Sequence, residues 1–245
     1  MEIDELLELV RKRRSVRQFK PDPIPDEHVE KIIETARWAM SGANAQPWEF
    51  IVVKNKTTIN KIAELSRQGR LETYALEQAR IDDLRHPSHR HPTELPGWMN
   101  APVLIVVVGD RRPCFASVLA TNLTPGEAGT GATYNKGVGN ATQNLCLAAA
   151  ALGLGTQWVS VNRSWEQGVK NLLAVPDTLG IHTIVPVGYA TSEPKPVSRR
   201  EFKEMVHFEK YDSRKYRSME DVVNFIYRLR KRTRPAYPEA ADSNK

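Results

Sequence analysis

The apolar positions of the chain fall into two rhythms. Ile3, Leu6, Leu7 and Val10 recur at helical spacing, and Val29, Ile32, Ile33, Ala36 and Met40 repeat the pattern after a break at Pro21, Pro23 and Pro25. Asp26 is the expected cap of that second helix. Between helical stretches lie four short β-branched or apolar runs, 50–53, 104–108, 157–161 and 182–187, each bounded by turn formers or charge. They predict buried strands. Leu145, Ala148, Ala149 and Leu152 line one side of an Ala- and Leu-rich stretch, 138–152, with little charge, which predicts a central buried helix. Ser164 and Gln167 stand at capping-box spacing before Trp165, Val169, Leu172 and Leu173, and Pro176 stops that helix. Val222, Val223, Phe225 and Ile226 predict a last one. Strands separated by helices imply a layered sheet.

Two segments break the rhythm. Residues 59–96 are polar, charged and His-rich, and 122–139 are rich in Gly and Thr, so both predict covers over a functional site. His86, His89 and His91 with Asp82 and Asp83 offer metal-ligand types, but Pro87 and Pro92 break any helical register, and a surface loop without metal is expected. Gly126, Gly129 and Gly131 lack the Lys-Ser/Thr of a phosphate loop, and Tyr134 stands where a dinucleotide fingerprint needs its third glycine. A flexible flap is expected instead.

At 245 residues, 40% hydrophobic and 26% charged, the chain is of a size to bury one core. The expectation is a single domain over 1–237 and a disordered tail over 238–245. A net charge of +6 and a pI near 9.3 admit an anionic ligand or nucleic acid. The densest basic run, Arg228, Arg230, Lys231, Arg232 and Arg234, reads as a solvated helix end without a nucleic-acid motif beside it. Neither nucleic acid nor membrane is expected as a partner. The first residues carry Glu2, Asp4, Glu5 and Glu8 where a secretory segment would be apolar, so a cytoplasmic protein is expected. Cys114 and Cys146 lack metal or redox spacing and read as reduced thiols. Trp98 and Trp165 read as core residues, whereas Trp158 is a candidate for stacking on an aromatic substrate.

Candidate chemistry begins with Arg13, Arg14, Ser15 and Arg17, joined by Arg199 and Arg200. Guanidinium forks match phosphate oxygens, so these residues suit a phosphate-bearing cofactor. Ser41, Gly42, Ala43, Asn44 and Gln46 form a small polar stretch able to approach a flat ring, and Pro47-Trp48 leads from it into a strand.

In order and spacing, Arg13-Arg14-Ser15-Val16-Arg17 followed by Ser41-Gly42-Ala43-Asn44-Ala45-Gln46-Pro47-Trp48-Glu49-Phe50 resembles the FMN signature of the nitroreductase family. The resemblance continues through Ala101-Pro102-Val103, the Ala-Leu-Gly-Leu-Gly ending at Gly155, and Pro186-Val187-Gly188-Tyr189-Ala190, and covers most of 10–212. It implies an α+β three-layer sandwich with a central, mainly antiparallel sheet, assembled as an intertwined homodimer that 201–237 embrace, with FMN at the interface. By the same resemblance Arg13 and Ser15, with Arg199 and Arg200, meet the FMN phosphate, Arg14 is among the cofactor-binding residues, and Arg17 lies at the flavin pyrimidine edge. Ser41, Gly42, Ala43, Asn44 and Gln46 contact the ribityl chain or ring, and Val159, Ser160 and Val161 face N5. Ser160 and Arg17 are the catalytic candidates, and Trp158 and Tyr134 the substrate candidates. The implied reaction is a ping-pong transfer from NADH or NADPH to a nitroaromatic, quinone or related acceptor. Many family members carry an acidic residue beside the N5 contact where this chain has Ser160, and Ser41-Gly42-Ala43 is similar to the iodotyrosine deiodinase branch. Reductive dehalogenation and a non-enzymatic flavin-binding module are therefore the alternatives.

Overall fold

The computed structural model describes residues 2–80, 94–115, 127–194 and 197–229. They fall in two compact units, the last stretch forming the second.

The first unit is built on a five-stranded sheet: β1 (Trp48–Val53), β2 (Val103–Gly109), β3 (Gly155–Thr156), β4 (Val159–Ser160) and β5 (Gly180–Gly188). The order is β1-β2-β5-β3, with β4 also on β5, and every pairing is antiparallel. The Val-rich run of β2 is buried along its whole length because both of its faces are covered. Alternation sends Leu104 and Val106 to one face and Val103, Ile105 and Val107 to the other. The longer helices, in chain order, are α1 (Ile3–Lys12), α2 (Asp26–Arg37), α3 (Lys56–Gln78), α4 (Glu127–Ala151) and α5 (Arg163–Leu173). Ile59 and Ile62 of α3 and Trp165 and Val169 of α5 cover the Leu104 face. Ile32 and Ala36 of α2 and Leu145 and Ala149 of α4 cover the other. The unit is thus an α+β three-layer sandwich.

The predicted strand 157–161 is only the two residues of β4, and a second short strand, β3, precedes it outside the predicted run. β3 and β4 keep one register against β5, with Thr156 opposite Val187 and Val159 opposite Ile184. That register sets Gln157 against Pro186, which has no N–H to donate, and the ladder breaks there.

Three local expectations are corrected. Residues 59–78 are not part of a loose cover but belong to α3, whose first turn Asn55 caps by accepting from the Thr58 N–H at 3.0 Å. Its charged residues form the outer face, and Gly69 allows Trp165 of α5 to approach, since a β-carbon there would collide with the indole. The remaining part of that cover, 81–93 and its histidines, lies outside the described residues, as does 116–126. Residues 127–139 are the first turns of α4 rather than a flap; Gly137 is retained in the helix where Pro47 and Ser41 press close, 3.1 and 3.4 Å from the β-carbon position. Asn162, not Ser164, is the cap of α5, and Ser164 Oγ donates to the Asn162 carboxamide at 2.6 Å, while Gln167 bonds Asn171 and Asp177.

The second unit carries a helical turn (Phe202–Met205), a 3-10 turn (Ser213–Lys215) and α6 (Met219–Leu229). None of its described residues is buried, and Phe202, Phe208, Tyr216 and Met219 are all more than 70% exposed. Its described residues form no core of their own.

Candidate functional site

α1 ends at Lys12, and Arg13, with ψ of 122°, turns the chain into an extended segment. That segment is stitched to the edge of the sheet. The Val16 N–H donates to the Thr156 carbonyl at 2.8 Å, and Ser15 forms a parallel bridge with Thr156. Val16 points into the core, which leaves Ser15 and Arg17 exposed on the alternate positions. Gly155 makes the seam possible: a β-carbon there would stand 2.5 Å from Val16 Cγ2.

Beside the seam, Lys12, Arg13 and Arg14 line a cleft of about 180 Å³ with Gly153, Gly155 and Thr156. Gly153 has φ of +74°, and a β-carbon on it would meet nothing within 4 Å, so this wall is bare backbone. The three cations offset the negative pole at the end of α4 and also offer charge to an anion. Below them Cys146 is buried, and burial pushes its thiol up against the opposing influence of Thr156 and Arg13, so it stays protonated.

The edge strand continues the site. Val159 is buried, Val161 half-buried and Ser160 exposed, and the Thr183 hydroxyl holds the strand by donating to the Val159 carbonyl at 2.9 Å. Trp158 is 41% exposed, with its ring edge-on to His182 at 5.4 Å. His182 is the extra residue of a β-bulge: Val107 faces Thr183 and Val108 faces Ile181. Burial lowers the His182 pKa, and both His182 Nε2 and Gln157 Oε1 are buried without a hydrogen-bond partner among the described residues. Neither residue was singled out from sequence; a lone histidine within an apolar run was the one available signal.

Tyr134, expected against the substrate, is a core side chain at 4% exposure, packed with Trp48, Cys114 and Val138. Its hydroxyl occupies space that Gly109 leaves by lacking a β-carbon, and the Arg111 guanidinium sits 5.2 Å over its ring.

The loop carrying Ser41 is strained. Ala43, Asn44 and Gln46 have φ of 54°, 52° and 44°, the left-handed region that costs a side chain of order 1 kcal/mol or more each. The Gln46 N–H bonds Ser41 Oγ at 2.9 Å, and Asn140 of α4 donates to the Met40 carbonyl at 3.1 Å. Gly42 packs close to Thr133. Among the described residues, the loop is thus held by its own hydrogen bonds and by α4. Arg199 and Arg200 belong to the second unit, where Arg199 donates to the Ser198 carbonyl at 3.0 Å and Arg200 to the Glu204 carbonyl at 3.1 Å. No cluster of three metal-ligating side chains occurs among the described residues, and no described helix is long and apolar enough to cross a membrane.

A three-layer α+β sandwich whose antiparallel sheet carries an arginine-bearing segment along its edge is the nitroreductase-like fold class. The chain belongs to the Nitroreductase family, whose sequence profile matches residues 10–189. Among its relatives, a Methanothermobacter thermautotrophicus protein provisionally assigned as NADH dehydrogenase/NAD(P)H nitroreductase is 27% identical over 192 residues, 78% of this chain and 80% of that protein. An iodotyrosine deiodinase of Thermotoga neapolitana is 28% identical over 191 residues, 78% of this chain and 91% of that protein. Among solved structures, an iodotyrosine deiodinase bound to FMN and 3-iodo-L-tyrosine superposes with a TM-score of 0.62 at 25% identity, covering 84% of this chain and 100% of that one.

Proposed function

We propose that this protein binds FMN and passes two electrons from NADH or NADPH through flavin N5 to a nitroaromatic, quinone or related conjugated acceptor in a ping-pong cycle. The observation that carries this reading is the seam between Val16 and Thr156, which sets Arg13, Ser15 and Arg17 along β3, the strand that precedes the Ser160-bearing β4 on the same side of β5. The residues present fit the cofactor: guanidiniums and bare glycine backbone border a cleft, and an exposed strand edge lies next to it.

FMN, when bound, supplies a reversible two-electron carrier. Arg13, Arg14 and Ser15 hold its phosphate, and the family resemblance assigns Arg199 and Arg200 to the same group. Arg17 places fixed positive charge at the pyrimidine edge, where reduction builds negative charge. Ser160 offers a hydroxyl toward N5 with Val159 and Val161 flanking it, and Trp158 presents a flat apolar face to an aromatic acceptor. The strained loop of Ser41, Gly42, Ala43, Asn44 and Gln46 approaches the ribityl chain or ring. A homodimer with FMN at its interface supplies what this loop and the second unit, none of whose described residues is buried, require, since both would gain a partner surface. The donor pool locates such a protein in the cytoplasm.

The exposed Ser160 hydroxyl and the deiodinase relatives favour a second reading, reductive dehalogenation of a halogenated phenol. An absorption spectrum and anaerobic titration with NADH and NADPH, followed by quinone, nitroaromatic and 3-iodotyrosine acceptors, test both. Reoxidation by quinone without iodide release supports the first, and iodide release the second. A flavin reduced by neither nucleotide, or reoxidised by none of these acceptors, identifies a flavin-binding module.

A further inference from the structure

Three rings run from the interior of the first unit to the exposed edge of its sheet. Tyr134 is fixed in its socket, with its hydroxyl in the space that Gly109 leaves. His182 packs edge-on to Tyr134, with ring centres 6.5 Å apart and planes at 86°, and Trp158 packs edge-on to His182 at 5.4 Å and 69°. Exposure rises along the row, from buried Tyr134 through half-buried His182 to exposed Trp158, two residues before Ser160.

The middle ring stands where regular pairing would not put it. β5 carries one extra residue between Ile181 and Thr183, so His182 has no counterpart on β2 and its side chain is re-aimed. The bulge is held from both sides. The Ile181 N–H donates to Glu166 Oε1 of α5 at 3.0 Å, and the Lys170 ammonium lies 3.4 Å from the same oxygen. Across the strand, the Thr183 hydroxyl ties β5 to the Val159 carbonyl, one residue from Trp158. His182 Nε2 has no hydrogen-bond partner among the described residues, so the imidazole meets Trp158 as a ring rather than as a donor or acceptor. An indole at the edge of a sheet has several staggered positions open to it, and a neighbour fixed in this way selects one.

We propose that His182 is a positioning residue that holds the Trp158 indole at the angle on which a flat aromatic acceptor stacks. This rests on the FMN-oxidoreductase reading, with Trp158 as its acceptor face, and deepens it: preference for planar acceptors is set from beneath the strand by Tyr134 and His182, neither of which touches the acceptor.

His182→Leu, which fills the space without a ring, His182→Ala, which empties it, and His182→Phe, which restores a ring, test this in the FMN-loaded full chain. Naphthoquinone is the planar probe, and ferricyanide, an octahedral anion that cannot stack, is the control. The Kd of naphthoquinone for the oxidised protein is read from flavin absorbance, and the KM of both acceptors is measured at saturating nucleotide. The two ring-less variants are expected to weaken naphthoquinone about fivefold in Kd and KM while the ferricyanide KM shifts less than about twofold, with His182→Phe recovering most of the loss. In a Trp158→Ala background, His182→Leu should shift the naphthoquinone Kd less than about twofold, because the ring it held is gone. An unchanged naphthoquinone Kd in the ring-less variants, equal losses for both acceptors, or a full loss that persists without Trp158 overturns the proposal while leaving the FMN reading intact. A wild-type chain that binds no flavin, or whose reduced flavin naphthoquinone does not reoxidise, defeats both.

Discussion

Gly155 and Val16 touch so closely that one extra methyl cannot fit: the β-carbon position of Gly155 stands 2.5 Å from Val16 Cγ2. The contact lets the Arg13-bearing segment lie flat on the edge of β3. Gly155→Ala must therefore push the segment outward. The expected result is a loss of about 1–3 kcal/mol in unfolding free energy and FMN affinity weakened at least about tenfold, read by denaturant titration and flavin fluorescence. Unchanged flavin affinity in a folded Gly155→Ala protein would separate the seam from the cofactor.

Arg17 is exposed and two residues along from Ser15, on the same side of the extended segment. If its guanidinium faces the pyrimidine edge, Arg17→Ala removes charge that favours the reduced cofactor. The bound-flavin midpoint potential should fall by roughly 30 mV, about 1.4 kcal/mol for a two-electron couple. Spectroelectrochemistry reads this directly, and a potential equal to wild type removes Arg17 from the flavin.

In the loop before β1 the glycine and the left-handed residue are not the same position. Ala43 has φ of 54°, whereas Gly42 is needed because Thr133 Cγ2 would lie 2.6 Å from a β-carbon there. Ala43→Gly should therefore stabilise the chain by about 0.5–1 kcal/mol and Gly42→Ala should destabilise it by about 1–3 kcal/mol. Thermal unfolding of the two variants gives the order, and a reversed order refutes this account of the loop.

These positions mark where sequence reading reached its limit. The run at 104–108 was legible because a strand covered on both faces is apolar at every step, and the arginine segment was legible by its order before Ser41. The Gly155–Val16 seam was not, since close approach depends on elements far apart in the chain. α3 was hidden because half of a surface helix is charged, so its polarity read as a loop. The first turns of α4 were hidden by glycine and threonine that pack against Pro47 and Gly42 rather than opening a flap. Tyr134 looked available beside Gly-rich sequence, yet Gly109 provides it a buried socket. The bulge that places His182 under Trp158 leaves no sequence period to read.

Burial lowers the His182 pKa from its ordinary 6.5. Below 6.5 the unfolded chain takes up a proton here that the folded chain resists, so the stability involved is fully present above that value and is lost as pH falls toward the folded pKa. Between about pH 7.5 and pH 5.5, wild-type Tm should fall more steeply than that of His182→Phe, which cannot titrate. Parallel curves would show that the imidazole carries no such linkage.

The central claim is that the segment of Arg13, Ser15 and Arg17 and the strand of Ser160 together hold a flavin that works as an electron carrier. Its most direct measurement is the visible spectrum of the full chain reconstituted with FMN, recorded anaerobically before and after NADH or NADPH and again after a quinone. The account predicts a bound flavin whose absorbance is bleached by one of the nucleotides and restored by the quinone. A chain that retains no FMN, or a bound flavin that neither nucleotide bleaches, contradicts it.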